Sequence, residues 1–143
     1  MKTTFFAIVF TAFAPFSYAA DRFCDTGRIH PVDAQLEQEM DQNGGTTVDM
    51  REAQSRAHAG WDEELNSVYR ELMAILPPQE QLLLRDAQRS WLSFRDTEAE
   101  FWWSQSISGG GSLQPIIVTG YGIELLKARV CQLTKYKNAA TPI

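Results

Sequence analysis

Val48–Leu76, reading VDMREAQSRAHAGWDEELNSVYRELMAIL, is the stretch that decides the fold. It holds no proline and a single glycine, Gly60. Met50, Ala53, Ala57, Trp61, Leu65, Val68, Leu72 and Ile75 recur at steps of three or four, the spacing of one face of an α-helix. At 1.5 Å per residue such a rod is about 40 Å long. Thr46 or Thr47 can cap its first turn, and Asp49 suits the positive end of the helix dipole. Asn43-Gly44-Gly45 breaks the chain before it, and Pro77-Pro78 ends it.

Working outward, Asp33–Met40 is predicted to form a short helix with Leu36 and Met40 on one side. Pro78 can take the first position of a following helix that runs to about Ser104. Leu84, Ala87, Trp91, Phe94 and Phe101 are its expected buried stripe. Ser108-Gly109-Gly110-Gly111-Ser112 is a break. A last helix is expected from about Pro115 to Tyr136, with Ile116, Ile123, Leu126, Val130 and Leu133 inward. Gly120 and Gly122 lie inside it, so its first turns are expected to be kinked or tightly packed. No segment keeps a period of two and there is no internal repeat. The expected architecture is all-α: a small antiparallel helical bundle of three long helices plus a short N-terminal one, stapled by a terminal disulfide.

The chain has 143 residues, enough for one domain. Its 44% hydrophobic content is inflated by the N-terminus, where Phe5, Phe6, Phe10, Phe13 and Phe16 account for five of eight phenylalanines. Lys2, the apolar run Phe5–Ala14, Pro15 and the small residues Ser17, Ala19 and Ala20 follow the three-part plan of a secretory signal. Residues 1–20 are therefore read as a removable signal peptide, cleaved after Ala19 or Ala20, and 21–143 as a single exported domain, periplasmic or secreted. Without the leader the apolar share is about 40%, ordinary for a globular domain. The whole-chain net charge of −5 becomes more acidic when Lys2 goes. Cys24 follows Arg22-Phe23, so a lipid anchor at a small-residue cleavage site is disfavoured, and the charges at Asp21-Arg22 arrive too early for a membrane span.

Export makes the two cysteines, Cys24 and Cys131, a disulfide in expectation, the alternative being two buried thiols. Redox catalysis would want a close C-x-x-C pair, and there is none. His30 and His58 lack a nucleophile motif nearby, and no His/Cys cluster suits zinc, so no cofactor and no metal is expected. Glu63, Glu64, Glu98 and Glu100 could supply a glycosidase pair only as any acidic chain could. Arg85 and Arg89 share a helical face but are diluted by Asp86 and Asp96, which speaks against nucleic acid.

Three polar clusters remain. Asp62, Asn66 and Tyr69 fall at i, i+4 and i+7, and Gln88, Trp91 and Arg95 are spaced the same way. With Leu65 and Asp96, these give D-x-x-L-N-x-x-Y and Q-x-x-W-x-x-x-R-D; Gly110-Gly111-Ser112 and the pair Arg129 and Leu133 follow in order. In this the sequence resembles the exported family typified by the lysozyme inhibitor LprI, long catalogued as a domain of unknown function, over about Cys24–Leu133. The resemblance implies a helical domain that binds lysozyme, or another wall-active protein, without catalysis.

Asp62, Asn66, Tyr69, Gln88, Trp91, Arg95, Asp96 and Arg129 are expected to form a structural network, with Arg95 bridging Asp62 or Asn66 and Arg129 nearby. A lysozyme cleft is flanked by two carboxylates, so its occupant needs a protruding loop rich in donors. Ser106, Ser108, Gly109, Gly110, Gly111 and Ser112, with Trp102-Trp103 at their base, are the candidate partner-binding loop; the alternative is a plain connector. An acidic body would also speed encounter with a basic lysozyme. The function expected is that of an exported protein protecting the cell wall by occupying a lysozyme cleft. The alternative is a structural, stress-related or immunity module for a different envelope partner.

Overall fold

The computed structural model describes residues 23–25, 27–42 and 45–141, and the signal peptide read over 1–20 lies outside them. After a single 3-10 turn, Phe23–Asp25, come α1 (Pro31–Gln42), α2 (Thr47–Ile75), α3 (Pro78–Trp102), α4 (Gln105–Ser108) and α5 (Gln114–Ala140). The described residues contain no strand. Thr46 caps α2, its hydroxyl accepting from the Asp49 N–H at 3.2 Å. Pro78 sits in the first turn of α3, where its missing N–H leaves no donor unsatisfied.

Side-chain pairings give the directions. Arg56 meets Glu39 and Trp61 meets Asp33, so α1 runs back along α2. Arg129 meets Gln88 and Tyr121 meets Trp102, so α3 and α5 are antiparallel. Lys127 lies over Trp61 and Lys137 bonds Glu71, so α2 and α5 run parallel. The long helices therefore alternate up, down and up. The core lies mainly between the two parallel ones: Ala57, Trp61, Leu65, Val68 and Leu72 from α2, and Ile123, Leu126, Val130 and Leu133 from α5. Trp61, Leu72, Leu126, Val130 and Leu133 are the largest fully buried side chains. Each aliphatic burial of this kind contributes about 1.5–3 kcal/mol.

The expected α2 stripe is buried from Ala53 to Leu72, while Met50 is only half-buried and Ile75 is 47% exposed at the helix end. The α3 stripe departs further. Of its expected members only Leu84 is buried; Ala87, Phe94 and Phe101 are exposed, and Trp91 is partly covered. In α3, Leu84, Gln88, Trp91 and Arg95 face the other helices. Leu83, Ala87, Phe94 and Phe101 form a second apolar row one residue earlier, turned away by about 100°.

Glycine lets α1 come close. A Cβ at Gly60 would lie 2.9 Å from Val32 Cγ2, so only glycine admits Val32 at this spacing. A half-buried ionic node fastens the same helix. Trp61 Nε1 donates to Asp33 Oδ1 at 2.9 Å, and Lys127 Nζ meets Asp33 Oδ2 at 3.0 Å, joining α1, α2 and α5. Burial opposes the charge on Lys127, but Asp33 and Glu124 outweigh it and hold its pKa above the ordinary lysine value. Beside the node, His30 stacks between Phe23 and Trp61. Cys24 and Cys131 form the disulfide, with Cα atoms 5.1 Å apart, tying the first turn to α5. Cys24 has a left-handed backbone, φ 46°.

Candidate functional site

The motif residues line a polar seam where α2, α3 and α5 meet. On α2, Asn66 donates to the Asp62 carbonyl at 2.8 Å and to Asp62 Oδ2 at 3.1 Å, which aims the carboxylate across the helix surface. On α3, Arg95 donates to Asp96 Oδ1 through Nε at 3.0 Å and Nη2 at 2.8 Å. Its Nη1 faces Asp62 Oδ1 at 4.0 Å, an ion pair without hydrogen-bond contact. Arg95 thus stands between two carboxylates, and its closer partner is its own neighbour in sequence. Tyr69 packs its ring against the core.

Trp91 links this half of the seam to the other. The guanidinium carbons of Arg95 and Arg129 lie 5.8 and 5.6 Å from its ring centroid, within the range of cation–π attraction. Arg129 is 7% exposed and has no carboxylate partner among the described residues. Its Nε donates to Gln88 Oε1 at 3.0 Å and its Nη1 to Gln132 Oε1, while Nη2 is buried without a partner. Burial pushes its pKa down, with Tyr136 pulling slightly the other way. A guanidinium keeps its proton in such surroundings, so this is a standing buried charge held by two amides and an aromatic face.

At one end of the seam lies the Ser106–Ser112 stretch, and half of it is more ordered than a connector. Gln105–Ser108 is a helical turn, α4, closed by Gly109 in the left-handed conformation, whose N–H donates to the Gln105 carbonyl. Gly109, Gly110 and Gly111 have φ of 74°, 71° and 75°, conformations that only glycine adopts without penalty. Ser108 is buried: its Oγ donates to the Ser104 carbonyl and accepts from Gln114 Nε2 at 2.9 Å. Gln114 also donates to the Trp103 carbonyl, pinning the loop's two ends together. Ser108, counted from sequence among the residues of the donor-rich loop, therefore has its hydroxyl engaged in closing that loop. Ser106 and Ser112 are exposed, as are Ile107, Leu113 and Trp103.

Residues 104–123 carry no charged side chain. The N–H groups of Gly110, Gly111 and Ser112 make no hydrogen bond among the described residues. The tip thus carries three consecutive N–H donors that the protein itself does not engage, on an uncharged segment with Ile107 and Leu113 exposed beside them. Among the described residues no group of three or more His, Cys, Asp or Glu could hold a metal ion, and no helix is long and apolar enough to cross a membrane.

Sequence alone did not reveal the Asp33–Trp61–Lys127 node or the closeness of Gly60 to Val32. The only local hint was a glycine in the middle of an otherwise uninterrupted helical pattern.

A protein of Rhizobium meliloti (strain 1021), itself uncharacterized, is 25% identical over 123 residues, covering 77% of this chain and 87% of its own length. No solved structure matches significantly. The profile of the family described as Lysozyme inhibitor LprI matches residues 38–133, which take in α2, α3, the glycine loop and α5 as far as Leu133. By that match over some two thirds of its length, the chain belongs to the LprI lysozyme inhibitor family.

Proposed function

We propose that this chain is an exported binding protein that protects the cell wall by entering a lysozyme cleft, with the loop Ser106–Ser112 as the part that enters. Family membership supports the class of activity. The observation that carries the choice of surface is the run of unengaged N–H donors at Gly110, Gly111 and Ser112, on a segment without a single carboxylate. A cleft flanked by two acidic groups repels acidic side chains and rewards N–H and O–H donors that reach it without bulk. Three glycines provide that slimness, and the Gln114 bridges keep the loop from collapsing onto the body. The acidic remainder of the protein favours approach to a basic enzyme. Under this reading the protein acts by occupancy and turns nothing over.

The test is lysozyme-driven clearing of a bacterial cell-wall suspension with and without the purified protein. Inhibition at micromolar protein is expected, and its loss when Ser106–Ser112 is shortened to two residues while the far-ultraviolet circular dichroism is retained. Full lysozyme activity at micromolar protein refutes the reading. Inhibition that survives the shortened loop moves the contact elsewhere.

A further inference from the structure

Where the first turns of α5 pass between α2 and the end of α3, a groove of about 350 Å³ opens, near the lower bound for small-ligand clefts. Its walls include His58 from α2, Arg95 and Trp102 from α3, Trp103 just beyond it, and Thr119 and Gly122 from α5. His58 packs over this turn of α5: a Cβ at Gly122 would meet its ring at ordinary contact distance, 3.4 Å from Cδ2.

Polar groups here are unspent. The imidazole of His58, the hydroxyls of Ser55 and Thr119 and the indole N–H groups of Trp102 and Trp103 make no hydrogen bond among the described residues. Two buried atoms nearby are also without partners: Gln54 Oε1, one turn before His58, and Ser104 Oγ, next to Trp103. Folded proteins seldom leave buried atoms such as these two unpaired, and the half-exposed donors and acceptors beside them are free to meet a ligand in place of water. The same end exposes flat aromatic surface. Trp103 and Tyr121 are 49% and 42% exposed, and Tyr121 braces Trp102 with ring centroids 5.6 Å apart.

Aromatic faces beside fixed donors and acceptors match the two sides of a pyranose ring, whose C–H face is apolar and whose rim is hydroxyl. Charge narrows the class. The guanidinium of Arg95 is already set between Asp96 and Asp62, so the groove has no unbalanced arginine to draw a phosphate or carboxylate. We propose that this groove binds a neutral oligosaccharide, its C–H face on the tryptophans and its hydroxyl or acetamido groups on His58, Thr119 and Ser55. This goes beyond the lysozyme reading and needs no lysozyme to be present.

The experiment titrates the purified full chain with triacetylchitotriose and, separately, with cellotriose, in the absence of any enzyme. Calorimetry measures binding and proton–nitrogen correlation spectra locate it. Saturable binding by either sugar is expected, with shifts in the His58 ring and the Trp102 and Trp103 indole signals. The Trp61 indole, bonded to Asp33, should stay in place. Trp103→Ala should weaken binding about tenfold, the loss of one well-stacked ring. Should that variant melt early, Thr119→Val gives the second measurement and should also weaken binding. No saturation by about 10 mM of either sugar overturns the proposal, since weaker binding falls below any specific affinity. Shifts confined to other surfaces, or unchanged affinity in a folded Trp103→Ala, overturn it equally.

Discussion

Asp33 is the side chain on which the attachment of α1 turns, and its removal has a calculable effect. One oxygen accepts from the Trp61 indole at 2.9 Å and the other meets Lys127 at 3.0 Å. In Asp33→Ala the indole N–H, on a tryptophan only 1% exposed, is left without its acceptor. An orphaned buried donor costs about 1–3 kcal/mol. Lys127 loses its nearer carboxylate but keeps Glu124 at 3.1 Å, and neither it nor Asp33 is wholly sealed from water. The ionic part should therefore fall well below the 3–5 kcal/mol typical of breaking a fully buried pair, at about 1 kcal/mol. The expected total is about 3 kcal/mol for Asp33→Ala. Asp33→Asn keeps an acceptor for the indole and should lose about half of that. Urea unfolding at neutral pH, with the disulfide intact, measures both.

The pH dependence carries a sign. Because the folded pKa of Lys127 is raised, its contribution is complete below the unfolded lysine value, about 10.4, and fades as pH climbs through the folded one. The gap between wild type and Asp33→Ala should thus be flat across neutral pH and narrow, by the ionic share alone, as strong alkali discharges Lys127. A loss under about 0.5 kcal/mol for Asp33→Ala would refute the node as the fastening of α1. Equal losses for alanine and asparagine would show that the indole bond contributes nothing.

Reducing the disulfide, or Cys131→Ser, frees a loop of 107 residues and should destabilise the protein by about 4–5 kcal/mol in the chain-entropy account, less the relief of left-handed strain at Cys24; denaturant midpoints with and without reductant check it. Gly60→Ala should destabilise by about 1 kcal/mol despite its better helix propensity, because its Cβ overlaps Val32, and adding Val32→Ala should relieve the overlap in a double-mutant cycle. Arg95→Ala should cost about 1 kcal/mol, mostly the stacking on Trp91, since its ion pairs are partly exposed; an unchanged melting midpoint would remove it from the scaffold. The carboxyls of Glu39, bonded by Arg56, and Glu71, bonded by Lys137, titrate below the usual range, so their stabilisation is present above the unfolded glutamate pKa and lost as acid takes the pH through the folded one. Glu71→Gln should accordingly flatten the acid limb of the stability curve.

The helices were legible in the sequence because their punctuation is local. Thr46, the Pro77-Pro78 step and the three glycines act on their own neighbours, and α2 shows one clean apolar row. α3 was misjudged because it has two adjacent apolar rows, and periodicity identifies rows without choosing between them. The choice is made by α5, whose Arg129 engages Gln88 and Trp91 and leaves Phe94 and Phe101 outside. At the candidate site, the spacing of Asp62 with Asn66 and of Trp91 with Arg95 was visible as shared helical faces. The burial of Ser108 was not, since it depends on Gln114 reaching back across the loop. The Asp33 node joins residues from three helices, and no pattern within one segment encodes such a meeting.

The parallel course of α2 and α5 sets a timetable for folding. Glu71 and Lys137 are 66 residues apart in sequence, and a similar interval separates Trp61 from Lys127. No short fragment contains both walls of the core, so α2 and α3 alone lack their main hydrophobic partner. Any process that delivers the chain from its N-terminus must hold roughly its first 120 residues without a core, and then complete it nearly at once. Oxidation is bound to the same schedule, because Cys131 follows Leu126 and Val130 and reaches Cys24 only as those side chains seat. A chain ending before Leu126 should therefore stay unfolded as a whole, with no partially folded remnant to rescue.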